Sequence, residues 1–319
     1  MRTALAASCV AIVVFVGAAV AQTSSNDAIA ELIAATEISE ISKASAPATL
    51  SCPDEAPAGG LIICTGPPNT DIYDASSGGG LKARTDTAGL ALIGAPRLAS
   101  TSITLSFSGA ASGDTAIALT PRDDPYREIT GLDCDKVDAR TPTQKDHAGR
   151  SWVKKQKAFK TFYAPLTDEV KFISPAKGPF SSPFGPTRKY IGISKVTGKP
   201  CESMSVHRGL DVAVPVGTEL VAPMAGVVTL ADLDLYYEGG AIFLDHGRGL
   251  KSVFIHLSEI DVAPGQHVAQ GERIGATGNT GRTTGPHLHW AVKWRNETSE
   301  DRSGDFYIDP KLLLEMSEK

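Results

Sequence analysis

A basic excess is missing from this chain. Its net charge is −5, with 31 Lys+Arg against 36 Asp+Glu, so no overall positive field is available to hold nucleic acid. Aromatic residues are scarce, at 6% of 319 residues, while glycine (31) and proline (20) are plentiful. That mix suits short strands and turns better than long packed helices. An apolar share of 42% with 21% charged residues excludes a disordered tail, a collagen and a multi-span membrane protein. Beyond residue 21 no stretch is long and apolar enough to span a bilayer. Several hydrolase signatures are also missing: there is no H-E-x-x-H helix, no G-x-S-x-G and no phosphate-binding glycine loop.

What is present begins with an address. Arg2 precedes an almost wholly apolar run from Thr3 to Val20, and Ala19-Val20-Ala21 before Gln22 reads as a signal-peptidase site. Residues 1–21 are therefore read as a signal peptide and the protein as exported. Left uncleaved, the same segment would serve as a membrane anchor. Export leaves Cys52, Cys64, Cys134 and Cys201, an even set that suits disulfides in an oxidising compartment. Four cysteines allow three connectivities, and sequence alone does not choose among them. Local pairing favours Cys52–Cys64, leaving Cys134–Cys201; the alternative is four buried thiols. No cysteine or histidine spacing supports a structural zinc site.

Residues 22–48 read as a polar lead-in and an amphipathic helix, with Ile29, Leu32, Ile33, Thr36 and Ile41 near helical spacing. Over 49–133, short apolar runs (GLIICT, ALIGA, SITLSFS, TAIALT) alternate with turn clusters, the pattern of a small β-sandwich. It holds no catalytic constellation and reads as a spacer or docking module. Residues 134–170 read as a basic linker helix, with Lys145, Arg150, Lys154, Lys155, Lys157 and Lys160 around Trp152, Ala158 and Phe159. Such a charge run usually marks a solvated face. Residues 171–319 return to strands and turns, with APGQHVAQGERIG read as a hairpin, and their basic and acidic residues nearly balance.

Six of the seven histidines (His207, His246, His256, His267, His287 and His289) fall between positions 207 and 289, and only His147 lies outside. In a strand, His287 and His289 share one face while Leu288 packs behind. His207 and Asp211 are four apart, but Gly209 and Pro215 oppose a helix, so a turn brings them together. Two histidines and a carboxylate are zinc-type ligands, and three protein ligands leave a fourth position for water, the catalytic arrangement. His256 lies in KSVFIHL, where alternation sends Val253, Ile255 and Leu257 to one face and Ser252, Phe254 and His256 to the other. Taken alone, it reads as a core histidine.

Three segments then occur in order: Ser182-Pro183-Phe184-Gly185 with Arg188; HRGLDVAVPVGTELVAPMAGVV; and FIHLSEIDVAPGQHVAQGERIGATGNTGRTTGPHLHW. Together they resemble the lysostaphin/LytM-type zinc metallopeptidases, a peptidoglycan endopeptidase family. The resemblance covers about Ser182 to Trp290. It implies one zinc ion held by His207, Asp211 and His289, with His256 and His287 as catalytic non-ligand histidines. It also implies an antiparallel LytM-type catalytic sheet in 171–319, so that with the small β-sandwich and linker helix read above the protein is expected to be mainly β. His246 sits at a turn outside the motif, His267 reads as surface, and His147 has no assignable role.

The implied activity is hydrolysis of peptidoglycan peptide cross-links. The Gram-negative-like signal, β module and linker favour a D-Ala–diaminopimelate bond and a periplasmic location. Peptidoglycan is the expected partner, joined by cell-wall or divisome proteins through the N-terminal module, and no nucleic acid is expected. The alternatives are a non-catalytic activator of wall amidases and a peptidase with a protein substrate. Because all five site residues are present, the enzyme is favoured. One departure from compact family members is the long stretch between Arg188 and His207, which carries Cys201. A Cys134–Cys201 bond would staple the linker region to a loop entering the site.

Overall fold

Turn clusters cut the N-terminal region into strands where its apolar runs predict them. In the computed structural model, which describes residues 49–318 except 76–79, 99–100, 108–112, 135–138, 140, 196 and 297–304, these are β1 (Glu55–Pro57), β2 (Leu61–Thr65), β3 (Asp71–Asp74), β4 (Gly80–Arg84), β5 (Leu90–Gly94), β6 (Ser102–Phe107) and β7 (Thr115–Thr120). The readings of 1–21 and 22–48 lie outside the described residues. A five-stranded sheet ordered β1-β7-β6-β3-β4 shares one core with the β2–β5 pair: Ile62 and Ile93 from the pair meet Ile72, Leu105 and Ile117 from the sheet. The Cys52–Cys64 disulfide closes this sandwich.

Among the described residues, the next strand, β8 (Tyr126–Asp133), pairs with none of the sandwich strands. It runs parallel to β10 (Thr187–Ile193), whose other neighbour is the antiparallel β11 (Pro200–Val206). The long stretch before His207 is thus a β10–β11 hairpin. The Cys134–Cys201 disulfide fastens it to the end of β8.

Helix α1 (Pro142–Lys160) starts where its sequence allows. The Thr141 hydroxyl accepts from the Gln144 amide while the Gln144 side chain accepts from the Thr141 amide, and Pro142 opens the first turn. The basic face is solvated as expected: Lys145, Arg150, Lys154, Lys157 and Lys160 are exposed, although Lys154 pairs with Asp232 at 2.5 Å and the half-buried Lys155 pairs with Glu238. Burial of Ala158 and Phe159 does more to hold the helix. A buried phenylalanine is worth about 1.5–3 kcal/mol, against about 0–1 kcal/mol for such ion pairs. Past the helix, the Arg295 guanidinium donates to the Phe159 carbonyl at 2.7 Å and the Tyr163 amide donates to Asp245 at 2.9 Å.

The helix lies against the main sheet. That sheet is antiparallel and ordered β18 (His267–Val268), β14 (Gly226–Leu235), β15 (Gly239–Asp245), β16 (Leu250–Leu257), β20 (Leu288–Trp294), β12 (Leu210–Val212), β9 (Phe180–Ser182), with β21 (Phe306–Ile308) also on β20. One face carries Phe254, Leu288, Trp290 and Val292 into the large core, and the other sends Phe243, Val253 and Ala291 against α1. A small sheet of β13 (Glu219–Val221), β19 (Arg273–Ala276) and β17 (Glu259–Ile260) and the closing helix α2 (Pro310–Ser317) complete the domain.

The predicted APGQHVAQGERIG hairpin does not form. β18 joins β14 at the edge of the main sheet, while β19 sits between β13 and β17. Val268 and Ile274 are both buried in the large core, and the alternation that brings them there does not specify which strand each one pairs with.

Candidate metal centre

Asp211 on β12 and His289 on β20 are direct cross-strand partners in an antiparallel ladder. Their side chains therefore leave the same face side by side. His207 reaches them from the turn before β12. His207 Nε2 lies 3.1 Å from Asp211 Oδ1 and 3.1 Å from His289 Nδ1, and His289 Nδ1 lies 2.8 Å from Asp211 Oδ1. Among the described residues, these three form the cluster able to hold a metal ion.

The donor set fits zinc. Ligands 2.0–2.1 Å from a tetrahedral zinc stand about 3.3 Å apart, close to the edges of this triangle. The His207 tautomer also fits. Its Nδ1–H donates to the Pro183 carbonyl at 2.6 Å, which turns the Nε2 lone pair toward the other two ligands. The second carboxylate oxygen of Asp211 faces the Arg188 guanidinium at 3.7 Å, and that guanidinium is anchored by donation to Ser182 Oγ at 2.6 Å. Burial alone would raise the Asp211 pKa, but hydrogen bonds and charge from His207 and His289 outweigh it and hold the carboxyl well below the carboxylate range. Burial lowers the His289 pKa.

Room for the ring of His289 depends on Gly209. A Cβ at position 209 would lie 2.6 Å from His289 Nε2 and 2.7 Å from the Trp290 carbonyl oxygen. The glycine that argued against a helix is thus also the residue that lets the turn pass over His289.

The remaining two histidines flank the triangle. His287 Nδ1–H donates to the Gly285 carbonyl at 2.8 Å, and its Nε2 stands 3.8 Å from Asp211 Oδ1. His256 Nδ1–H donates to the Thr280 carbonyl at 2.8 Å, and its ring centroid is 4.9 Å from that of His287 and 6.3 Å from that of His289. Both therefore hold a proton on the outer nitrogen and keep Nε2 for the site. Burial, helped by the neighbouring histidines, lowers the His256 pKa to about 4, so its ring is neutral at pH 7.

His256 arrives by a route that simple alternation does not give. The β15–β16 register slips at this point, so that Gly240 pairs with Leu257 and Ala241 with Ile255, leaving His256 as a bulge with φ of +68°. The expectation that Leu257 shares a face with Val253 and Ile255 is overturned: Leu257 joins Phe254 in the large core. His256 is turned onto the face of His289, at the cost of a left-handed backbone.

The other histidines stand apart. His246 is buried and structural: its Nδ1–H donates to the Ala225 carbonyl at 2.9 Å, and its Nε2 accepts from the Ser252 hydroxyl at 2.8 Å. His267 is exposed on β18. His147 lies on α1 within hydrogen-bond reach of the Asp234 carbonyl.

Beside His289 a groove of about 580 Å³ runs between the sheet and α1, with Trp152, Lys155 and Phe159 on the helix side and Arg208, Ala291 and Tyr307 opposite. Nothing in the sequence marks the linker helix as a wall of this groove.

Residues 205–301 match the model for peptidase family M23. A stretch of 113 residues, 34% of this chain, is 43% identical to an uncharacterised metalloprotease of Haemophilus influenzae, covering 22% of that protein. A stretch of 117 residues, 37% of this chain, is 38% identical to the peptidoglycan DD-endopeptidase ShyA of Vibrio cholerae, covering 25% of it. The matched stretch thus spans about a quarter or less of the length of these relatives. A solved peptidase M23 structure from Pseudomonas aeruginosa aligns over 81% of this chain and 94% of its own, with a TM-score of 0.55 and 28% identity. That likeness extends well beyond residues 205–301, so the fold it shares with this chain includes the surroundings of the family domain.

Proposed function

We propose, from the premise that residues 205–301 are a peptidase family M23 domain, that this chain is a zinc-dependent endopeptidase hydrolysing the peptide cross-links of peptidoglycan. The observation that carries this reading is the convergence of His207 Nε2, Asp211 Oδ1 and His289 Nδ1 within about hydrogen-bond distance of one another, with His256 and His287 beside them. Zinc bound there supplies a Lewis acid that polarises a peptide carbonyl and brings the pKa of a water near 7.

The rest is done by the protein. His256 and His287 each present a lone pair at Nε2 because Nδ1–H is committed to a carbonyl. Either can orient a water and take its proton at Nε2. Protonated, the same nitrogen becomes a donor to a developing oxyanion or a leaving amine. The groove along α1 gives an extended peptide a place to lie across the site. The named V. cholerae relative is a DD-endopeptidase, which supports a D-Ala–diaminopimelate bond as the target. The apolar leader and the two disulfides support an exported, periplasmic enzyme.

A digest of cross-linked sacculi, read by liquid chromatography–mass spectrometry, tests this. Dimeric muropeptides should fall and monomers rise with the wild type, and not with a chelated sample or with His289→Ala. An unchanged dimer fraction in the wild-type digest overturns the proposal.

A further inference from the structure

We propose that Arg97, Arg122 and Asp124, all contributed by the N-terminal sandwich and its exit, are positioning residues for His207. The inference rests on the reading of His207 as a metal ligand.

The segment Pro183-Phe184-Gly185-Pro186 belongs to no strand, and its two prolines have no N–H to give. Its carbonyls are nonetheless all engaged, in order. The Pro183 carbonyl accepts from His207 Nδ1 at 2.6 Å. The Phe184 carbonyl accepts from Arg122 Nη2 at 3.2 Å, and the Gly185 carbonyl accepts from Arg97 Nη1 at 3.4 Å. The Pro186 carbonyl accepts from the His207 amide at 2.9 Å, while the Gly185 amide donates to the His207 carbonyl at 2.9 Å. His207 therefore grips this segment by its ring and by its backbone, and the two arginines grip the same segment from the far side.

The arginines are themselves fixed. Asp124 receives Arg97 at 2.7 Å through Oδ2 and Arg122 at 3.0 Å through Oδ1. Arg122 reaches a second carboxylate, Asp309, at 2.9 Å, and its guanidinium lies 5.1 Å from the ring centroid of Phe184. These side chains are between 9% and 17% exposed, so the pairs are shielded from the screening that weakens surface bridges. Gly185 completes the fit: at φ +107° a Cβ there would lie 2.0 Å from Asp124 Oδ1. Only a bare backbone lets the carboxylate come this close.

The sandwich, which reads from sequence as a spacer or docking module, thus supplies the clamp that fixes the ring orientation of a ligand. Groups that orient a metal-binding histidine typically change metal affinity 10–100-fold when removed.

Zinc affinity of the full chain, measured by competition with a chromophoric chelator, tests the clamp without any substrate. Arg122→Ala should bind zinc about 10-fold more weakly and alter the visible absorption of the cobalt(II)-loaded protein. Arg122→Lys, which keeps the charge but loses the fork, should fall between. Ile117→Ala, buried in the sandwich core away from the clamp, should keep the wild-type affinity. If Arg122→Ala does not fold, Arg97→Gln carries the same comparison. Wild-type affinity in the clamp variants, or an equal loss in Ile117→Ala, overturns the inference. A wild type that binds no zinc overturns the reading of the site itself, and the inference with it.

Discussion

Replacing Gly209 with alanine adds one methyl group at the tightest point of the candidate centre. The new Cβ would meet His289 Nε2 at 2.6 Å, His289 Cε1 at 2.7 Å and the Trp290 carbonyl oxygen at 2.7 Å. Ordinary carbon contacts begin near about 3.5 Å, so about 0.8–0.9 Å must be found. Strand β20 cannot yield it, because it is paired on both sides, to β12 and to β16. The displacement then falls on the His289 ring or on the turn carrying His207. Either exceeds the roughly 0.2 Å within which metal–ligand distances are held. Overpacking of this kind costs about 1–3 kcal/mol of stability, which the large core can absorb. The expected outcome is a folded protein whose zinc affinity is lower by about 100-fold, or about 2.8 kcal/mol at 1.4 kcal/mol per decade. Chelator competition beside a thermal melt measures both quantities. Zinc affinity within about threefold of wild type would refute the steric reasoning.

Three further outcomes are expected. Because His256 holds φ at +68°, His256→Gly should be more stable than His256→Ala by about 1 kcal/mol, the reverse of the usual order; urea midpoints decide it, and the usual order would mean the bulge relaxes. Burial lowers the His246 pKa to about 4, so the unfolded chain takes up this proton first, near pH 6.5, and stability is lost as pH falls from there toward 4. From pH 7 to 5 the loss is about 2 kcal/mol; His246→Asn should lack it, and a difference between wild type and variant that stays constant with pH would show the ring is not shielded. Removing Cys134–Cys201, whose cysteines are 67 positions apart, should cost more than removing Cys52–Cys64, 12 apart, at about 4 and 3 kcal/mol on loop entropy; denaturant unfolding of the paired-serine variants would give the ranking.

The sequence showed most of the site and part of the scaffold. His207, Asp211, His256, His287 and His289 carried motif spacing, and the turn at Gly209 followed from residues unfit for a helix. The sandwich strands were legible because their apolar runs and turn clusters are local. The bulge at His256 was hidden because a register slip belongs to two strands at once. Strand β8 pairing with β10, and α1 walling the groove, depend on partners far along the chain that leave no local trace. Arg122 and Phe184 are 62 residues apart and Arg97 and Gly185 are 88 apart; no periodicity links such pairs. The basic run of α1 did mark a solvated face, but charge pattern alone does not say that Lys154 and Lys155 will find Asp232 and Glu238.

The pairing of Asp211 with His289 across one ladder sets an order of events. Both residues stand opposite one another because β12 and β20 are zipped together by their own backbone hydrogen bonds and by buried Leu210 and Trp290. Strand pairing therefore brings two of the three donors together, and on the proposed reading the ion would bind a folded chain, unlike small zinc modules in which binding and folding are one step. The ion could then be removed and replaced without the chain unfolding. On the proposed function, scarcity of the metal would cost activity while leaving the folded protein, and supply of the ion alone would restore it.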